Sequence, residues 1–155
     1  MVDTLSVTAV DELLSQARQL LGSMNPVQLD VALPAVPQAP VSWDSEAAGS
    51  AEEVAAYLDR DTEQLRAAHQ AVAAAVAEAN EIARSAHTQL NAVENAWVSD
   101  QAALEPAAGA DDNHAGILQA AQHHVREVTA VVQAAAEQFQ VAAQRITAAT
   151  TSLSA

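Results

Sequence analysis

Five histidines and twenty acidic residues are the side chains in this 155-residue chain best suited to move protons or hold a metal. The histidines are His69, His87, His114, His123 and His124. None belongs to a His-Glu-x-x-His motif, and no two lie four apart, so no helical face carries a ready pair of metal ligands. His123 and His124 are adjacent and would project about 100° apart on a helix. A di-iron bundle uses Glu-x-x-His on paired helices. Here Arg66 and Arg84 stand three residues before His69 and His87. Glu63, Glu78, Glu81 and Glu94 are spread at helical spacing, with Arg66 and Arg84 placed for local ion pairs, which is the pattern of a solvated outer face. There is no phosphate loop, nucleophile elbow or glycine-rich nucleotide turn. With no cysteine, thiol catalysis, disulfides and zinc-thiolate sites are excluded. These residues predict no catalytic centre, no metal, no cofactor and solvated histidines.

The formal net charge is −14, and all six basic residues are arginines. An acidic chain lacks the basic footprint that nucleic acid requires, and it is repelled by anionic membrane surfaces. The acidity serves solubility or meets a basic partner. The first residues, MVDTLSVTAVDELL, have no basic start and no long apolar run, so no ordinary secretory signal is expected. No stretch reaches the roughly 18 apolar residues of a membrane span.

Half the residues are hydrophobic by count, glycines number only four, and the apolar set is rich in alanine, the strongest helix former. The expected class is all-α: a long antiparallel two-helix hairpin, coiled-coil-like, with a short N-terminal helix and a Pro-rich strap. Residues 1–23 hold the short helix, from about Thr8 as cap to Gly22 just past its end. Residues 24–50 form the strap, where Pro26, Pro34, Pro37 and Pro40 forbid a helix and Trp43 could staple the chain down. Residues 51–155 form the hairpin. Ser50 and Glu53 have capping-box spacing, and the turn falls near 105–112, around Pro106 and Gly109.

Both long helices carry seven-residue apolar repeats. In the first, Leu58, Leu65 and Val72 lead the stripe, beside Ala68, Ala75 and Ile82, with Leu90 and Trp97 on one flank. In the second, Leu118, Val125, Val132, Phe139 and Ile146 are each seven apart, with Ala121, Val128, Ala135 and Ala142 at the second core position. Two helices leave part of each seam uncovered. A further helix is therefore expected, either from residues 8–22 or from another chain.

Two short stretches remain. Tyr57 and Asp61 stand four apart on one helix face, and Trp97-Val98-Ser99 precedes the turn. From the residues alone, Tyr57 is a boundary tyrosine or a recognition residue. Trp97 is a plug for space that alanine cannot fill, or a recognition element. With these motifs, residues 51–155 resemble the helical-hairpin proteins of actinobacterial type VII secretion, namely the Esx-type, PE/PPE and Esp-like proteins. Those are alanine-rich, acidic, cysteine-free hairpins with a Tyr-x-x-x-Asp/Glu export motif and a Trp-x-Gly turn. Tyr57 and Asp61 match the export motif; Trp97 matches the turn motif, with Ser99 in place of glycine.

The resemblance implies a non-enzymatic protein, a secreted substrate or secretion partner, acting by helix-mediated association. Tyr57, Asp61 and Trp97 would serve export and recognition. Leu58, Leu65, Val72, Leu118, Val125, Val132, Phe139 and Ile146 would pack against another helical protein or a second copy. A type VII secretion chaperone or ATPase is the implied partner. The chain would be cytoplasmic before export, then secreted or envelope-associated by a non-classical route. The alternative is a cytoplasmic, self-associating coiled-coil adaptor that is never exported.

Overall fold

The computed structural model describes residues 2–22, 46–104 and 111–153. The described residues are helical: α1 (Val2–Leu21), α2 (Glu46–Leu104) and α3 (Asp111–Thr151). None of these helices is long and apolar enough to cross a membrane. Most of the expected strap and most of the expected turn lie outside the described residues.

Each helix starts earlier than its sequence signals suggest. α1 begins at Val2, so Thr8 is interior to the helix and is not its N-terminal cap. Residues 2–7 hold no proline or glycine to break the helix. α2 begins at Glu46. The expected capping box at Ser50 is therefore corrected: Ser50 sits inside the helix and its hydroxyl donates to the Glu46 carbonyl at 3.4 Å. The pair Ala47-Ala48 extends the helix backward, and Glu46 supplies the first-turn acid.

Gly22 ends α1 with φ 78°, its N–H donating to the Gln19 carbonyl at 3.2 Å. An added Cβ would meet nothing within 4 Å, so the backbone angle alone demands glycine. Gly22→Ala is expected to destabilise the protein by about 1 kcal/mol. Urea unfolding checks this, and an unchanged midpoint would show that the left-handed residue carries no strain.

The chain divides into two units. The first comprises residues 1–26 and 78–141, the second residues 27–77 and 142–155. In the first unit, all three helices share one core. α1 contributes Val10, Leu14, Ala17 and Leu21, spaced four, three and four, so they form one stripe. α2 contributes Ile82, Ala86, Leu90, Val93 and Trp97, and α3 contributes Ala121, Val128 and Ala135. The small residues of α3 let its backbone come close to its neighbours. Close approach is also seen at Gly116, where an added Cβ would stand 3.4 Å from Leu104 Cδ2. Arg18, at the border of the α1 stripe, donates to Asn91 Oδ1 at 2.9 Å and pairs with Glu94. Both charged groups are partly exposed, so the pair orients α1 more than it stabilises it.

Among the described residues of the second unit, the buried side chains are alanines: Ala48, Ala68, Ala75 and Ala142. Leu58 and Leu65, expected in the seam, are exposed there. The two repeats of α3 also divide their roles. The small stripe of Ala121, Val128, Ala135 and Ala142 is buried, while Leu118 and Val125 are exposed and Val132, Phe139 and Ile146 are half-buried. Adjacent heptad positions are both apolar, and the smaller one permits the closer backbone approach, so it takes the centre.

Candidate functional site

Among the described residues, two places bring the candidate side chains together. The first lies in the core of the first unit, around Trp97. Among the described residues this tryptophan is the largest fully buried side chain, with 0% exposure. Its ring meets the imidazole of His124 edge-on, with centroids 5.6 Å apart. His124 is 2% exposed. Its Nδ1 lies 2.9 Å from Glu127 Oε2 and its Nε2 lies 2.8 Å from Asp100 Oδ2. The imidazole thus links α2 to α3 through Asp100 and braces against its own helix through Glu127. Carboxylate oxygens only accept, so a neutral imidazole makes one of these two bonds and an imidazolium makes both. His123 stacks edge-on beside His124 at 5.3 Å, with Nε2 3.5 Å from Glu127 Oε1.

This cluster holds α2 and α3 together and offers little to a substrate. Both His124 nitrogens lie within hydrogen-bond distance of protein carboxylates, and neither is turned to open solvent. Among the described residues, no group of three or more His, Asp or Glu side chains is placed to hold a metal ion. The Trp97 Nε1–H is buried with no hydrogen-bond partner among the described residues.

Sequence reasoning missed this cluster. It treated the histidines as solvated, and two of the five are buried. His87 is the second: its Nε2 lies 3.2 Å from the carbonyl of Gly22, so its N–H caps the C-terminal end of α1. One signal was present. His124 and Glu127 are three apart, a His-x-x-Glu spacing that places both on one helix face. Di-iron motifs carry the reverse order, Glu-x-x-His. Asp100 had no comparable signal, because it comes from a different helix.

The second place is the N-terminal part of α2, in the second unit. Tyr57 is 62% exposed, and Asp61 one turn further on is exposed as well. Val54, Leu58 and Leu65 are exposed on the same helix. At about 100° per residue, these five side chains fall within an arc of about 100°. Val72, further along, is half-buried.

The three residues expected to serve recognition therefore divide. Tyr57 and Asp61 share an exposed face in one unit. Trp97 belongs to the other unit and has no surface to offer a partner in this fold. Of the two roles open to Trp97, its burial favours the plug. Comparison with models of known families, with curated proteins and with solved structures finds no match to this chain.

Proposed function

We propose that the chain is a non-enzymatic protein that works by helix-mediated association, presenting an antiparallel α2/α3 hairpin to a helical partner. The observation that carries this reading is the row of exposed apolar side chains Val54, Tyr57, Leu58 and Leu65 on α2. Large apolar groups grouped on one exposed face mark interaction surfaces, whereas singly scattered ones do not. The hairpin is supported by pairings that run in opposite chain directions: Leu104 close to Gly116 and Asp100 on His124.

The resemblance to type VII secretion proteins supplies the finer reading: an exported substrate or secretion partner, with Tyr57 and Asp61 as the export-recognition pair. Their exposure on one helix face supports it, since a recognition motif has to be reachable. Trp97 then serves export indirectly, by keeping the first unit folded.

The test is secretion. Tagged full-length protein is expressed in a mycobacterial host with and without a functional type VII system, and culture filtrate is compared with lysate. Tyr57→Ala and Asp61→Ala are expected to abolish export with circular dichroism and melting unchanged, because both positions are exposed. Export unaffected by either substitution sinks the secretion reading. The alternative, a cytoplasmic self-associating adaptor, draws on the exposure of Leu118 and Val125 in the α3 repeat. It requires a sedimenting dimer that Leu118→Ser together with Val125→Ser dissolves.

A further inference from the structure

The first unit shows what a covering helix looks like in this protein. α1 lays Val10, Leu14, Ala17 and Leu21 into the core. Their spacing of four, three and four keeps the apolar contact within an arc of about 60°. At its border Arg18 reaches across to Glu94 and Asn91 on α2. Apolar stripe inside and arginine at the edge, onto an acidic helix, is thus the docking chemistry α2 already uses.

The N-terminal part of α2 carries an exposed stripe with the spacing that α1 uses for its buried one. Val54, Leu58, Asp61 and Leu65 also follow a spacing of four, three and four, with Tyr57 one turn from both Val54 and Asp61. The four apolar members are exposed. At about 100° per residue Asp61 lies within the row and Glu46 and Glu53 border one side of it, while Glu52, Asp59 and Glu63 fall on the opposite side of the helix; the one basic residue between Glu46 and Leu65 is Arg60. We propose that this face of α2 is a docking site for an amphipathic helix of another protein, one with a Leu/Val-type stripe bordered by Arg or Lys. The proposal deepens the association reading above by specifying the partner's chemistry.

The charge decides among occupants. A second copy brings another formal charge of −14 to an already acidic face, and α1 itself carries three acids against the single Arg18. An anionic lipid surface is repelled for the same reason. A basic amphipathic helix covers the apolar row and sets its cations against Asp61, Glu46 and Glu53, as Arg18 does on Glu94.

The test uses the full-length chain and a fluorescein-labelled three-heptad peptide with leucines on one stripe and arginines beside it, followed by fluorescence anisotropy. A peptide with glutamates replacing the arginines and a scrambled peptide of the same composition are the controls. The basic amphipathic peptide is expected to bind. Leu58→Ser with Leu65→Ser is expected to weaken it about tenfold or more, with circular dichroism unchanged. Equal binding of the scrambled or acidic peptide, or binding indifferent to the two leucines, overturns the proposal. So does a homodimer in sedimentation that the same two substitutions dissolve, or binding to phosphatidylglycerol vesicles through these leucines. Peptide binding that fails while export still depends on Tyr57 and Asp61 removes this partner chemistry and leaves the secretion reading standing. Peptide binding retained with export independent of that pair does the reverse.

Discussion

Trp97→Ala is expected to destabilise the protein by about 3–5 kcal/mol, the cost of removing a large buried aromatic and leaving its cavity. Single domains are stable by only about 5–15 kcal/mol, so this substitution brings the first unit close to unfolding. The magnitude follows from the surroundings. The core cluster that holds Trp97 is built largely of short side chains, with four alanines and three valines among its twelve buried residues. Short side chains cannot reach into the vacated volume, so the site relaxes little and the cavity persists.

Trp97→Phe separates packing from polarity. Phenylalanine keeps much of the ring and removes the Nε1–H, which has no partner among the described residues. An unsatisfied buried donor costs about 1–3 kcal/mol, which offsets part of the lost contact area. The net change is expected to stay within about 1 kcal/mol. Urea unfolding of both variants checks the pair. A loss below about 1 kcal/mol for Trp97→Ala would show that the indole is not holding the first unit together.

His124→Ala is the second large effect, expected at about 2–4 kcal/mol. The imidazole is buried and makes edge contact with Trp97 while bonding Asp100 and Glu127. Its partners are not buried: the side chains of Asp100 and Glu127 are 48% and 40% exposed. Once His124 is gone they return to water without stranding a charge, so the cost lies mainly in lost packing and lost hydrogen bonds. His124→Leu is therefore expected to recover more than half of the alanine loss. A leucine variant as unstable as the alanine variant would put the polar bridge ahead of packing. A double-mutant cycle between His124→Leu and Asp100→Asn measures the bridge directly. Its coupling is expected near about 1 kcal/mol, because solvent screens the exposed carboxylate.

Much of the fold was legible in the residues. Alanine content, sparse glycine and two seven-residue repeats point to helices, and Gly22 marks the end of α1 as its left-handed φ requires. These features are local: they depend on backbone preference and on spacing along one helix. Boundaries were less legible. Ser50 and Thr8 are good caps in isolation, but the residues before each continue a helix without strain, and the helix runs through them. The candidate docking face was half legible. Tyr57, Leu58, Asp61 and Leu65 could be placed on one face by spacing, but whether that face is inside or outside could not.

What the sequence by itself determined is the helical class, the absence of cysteine chemistry, the acidic surface and the identity of the two apolar stripes on each long helix. The tertiary structure alone decided which stripe goes inward. On α3 the smaller position lets the backbones approach and is buried while Leu118 is left exposed; on α2 Leu58 and Leu65 are exposed, whereas Ile82, Leu90 and Trp97 further along are buried. It also decided the fate of His124. A histidine is solvated or buried according to what faces it. The group facing its Nε2, Asp100, lies 24 residues away in the chain and on a different helix, a distance over which spacing carries no information.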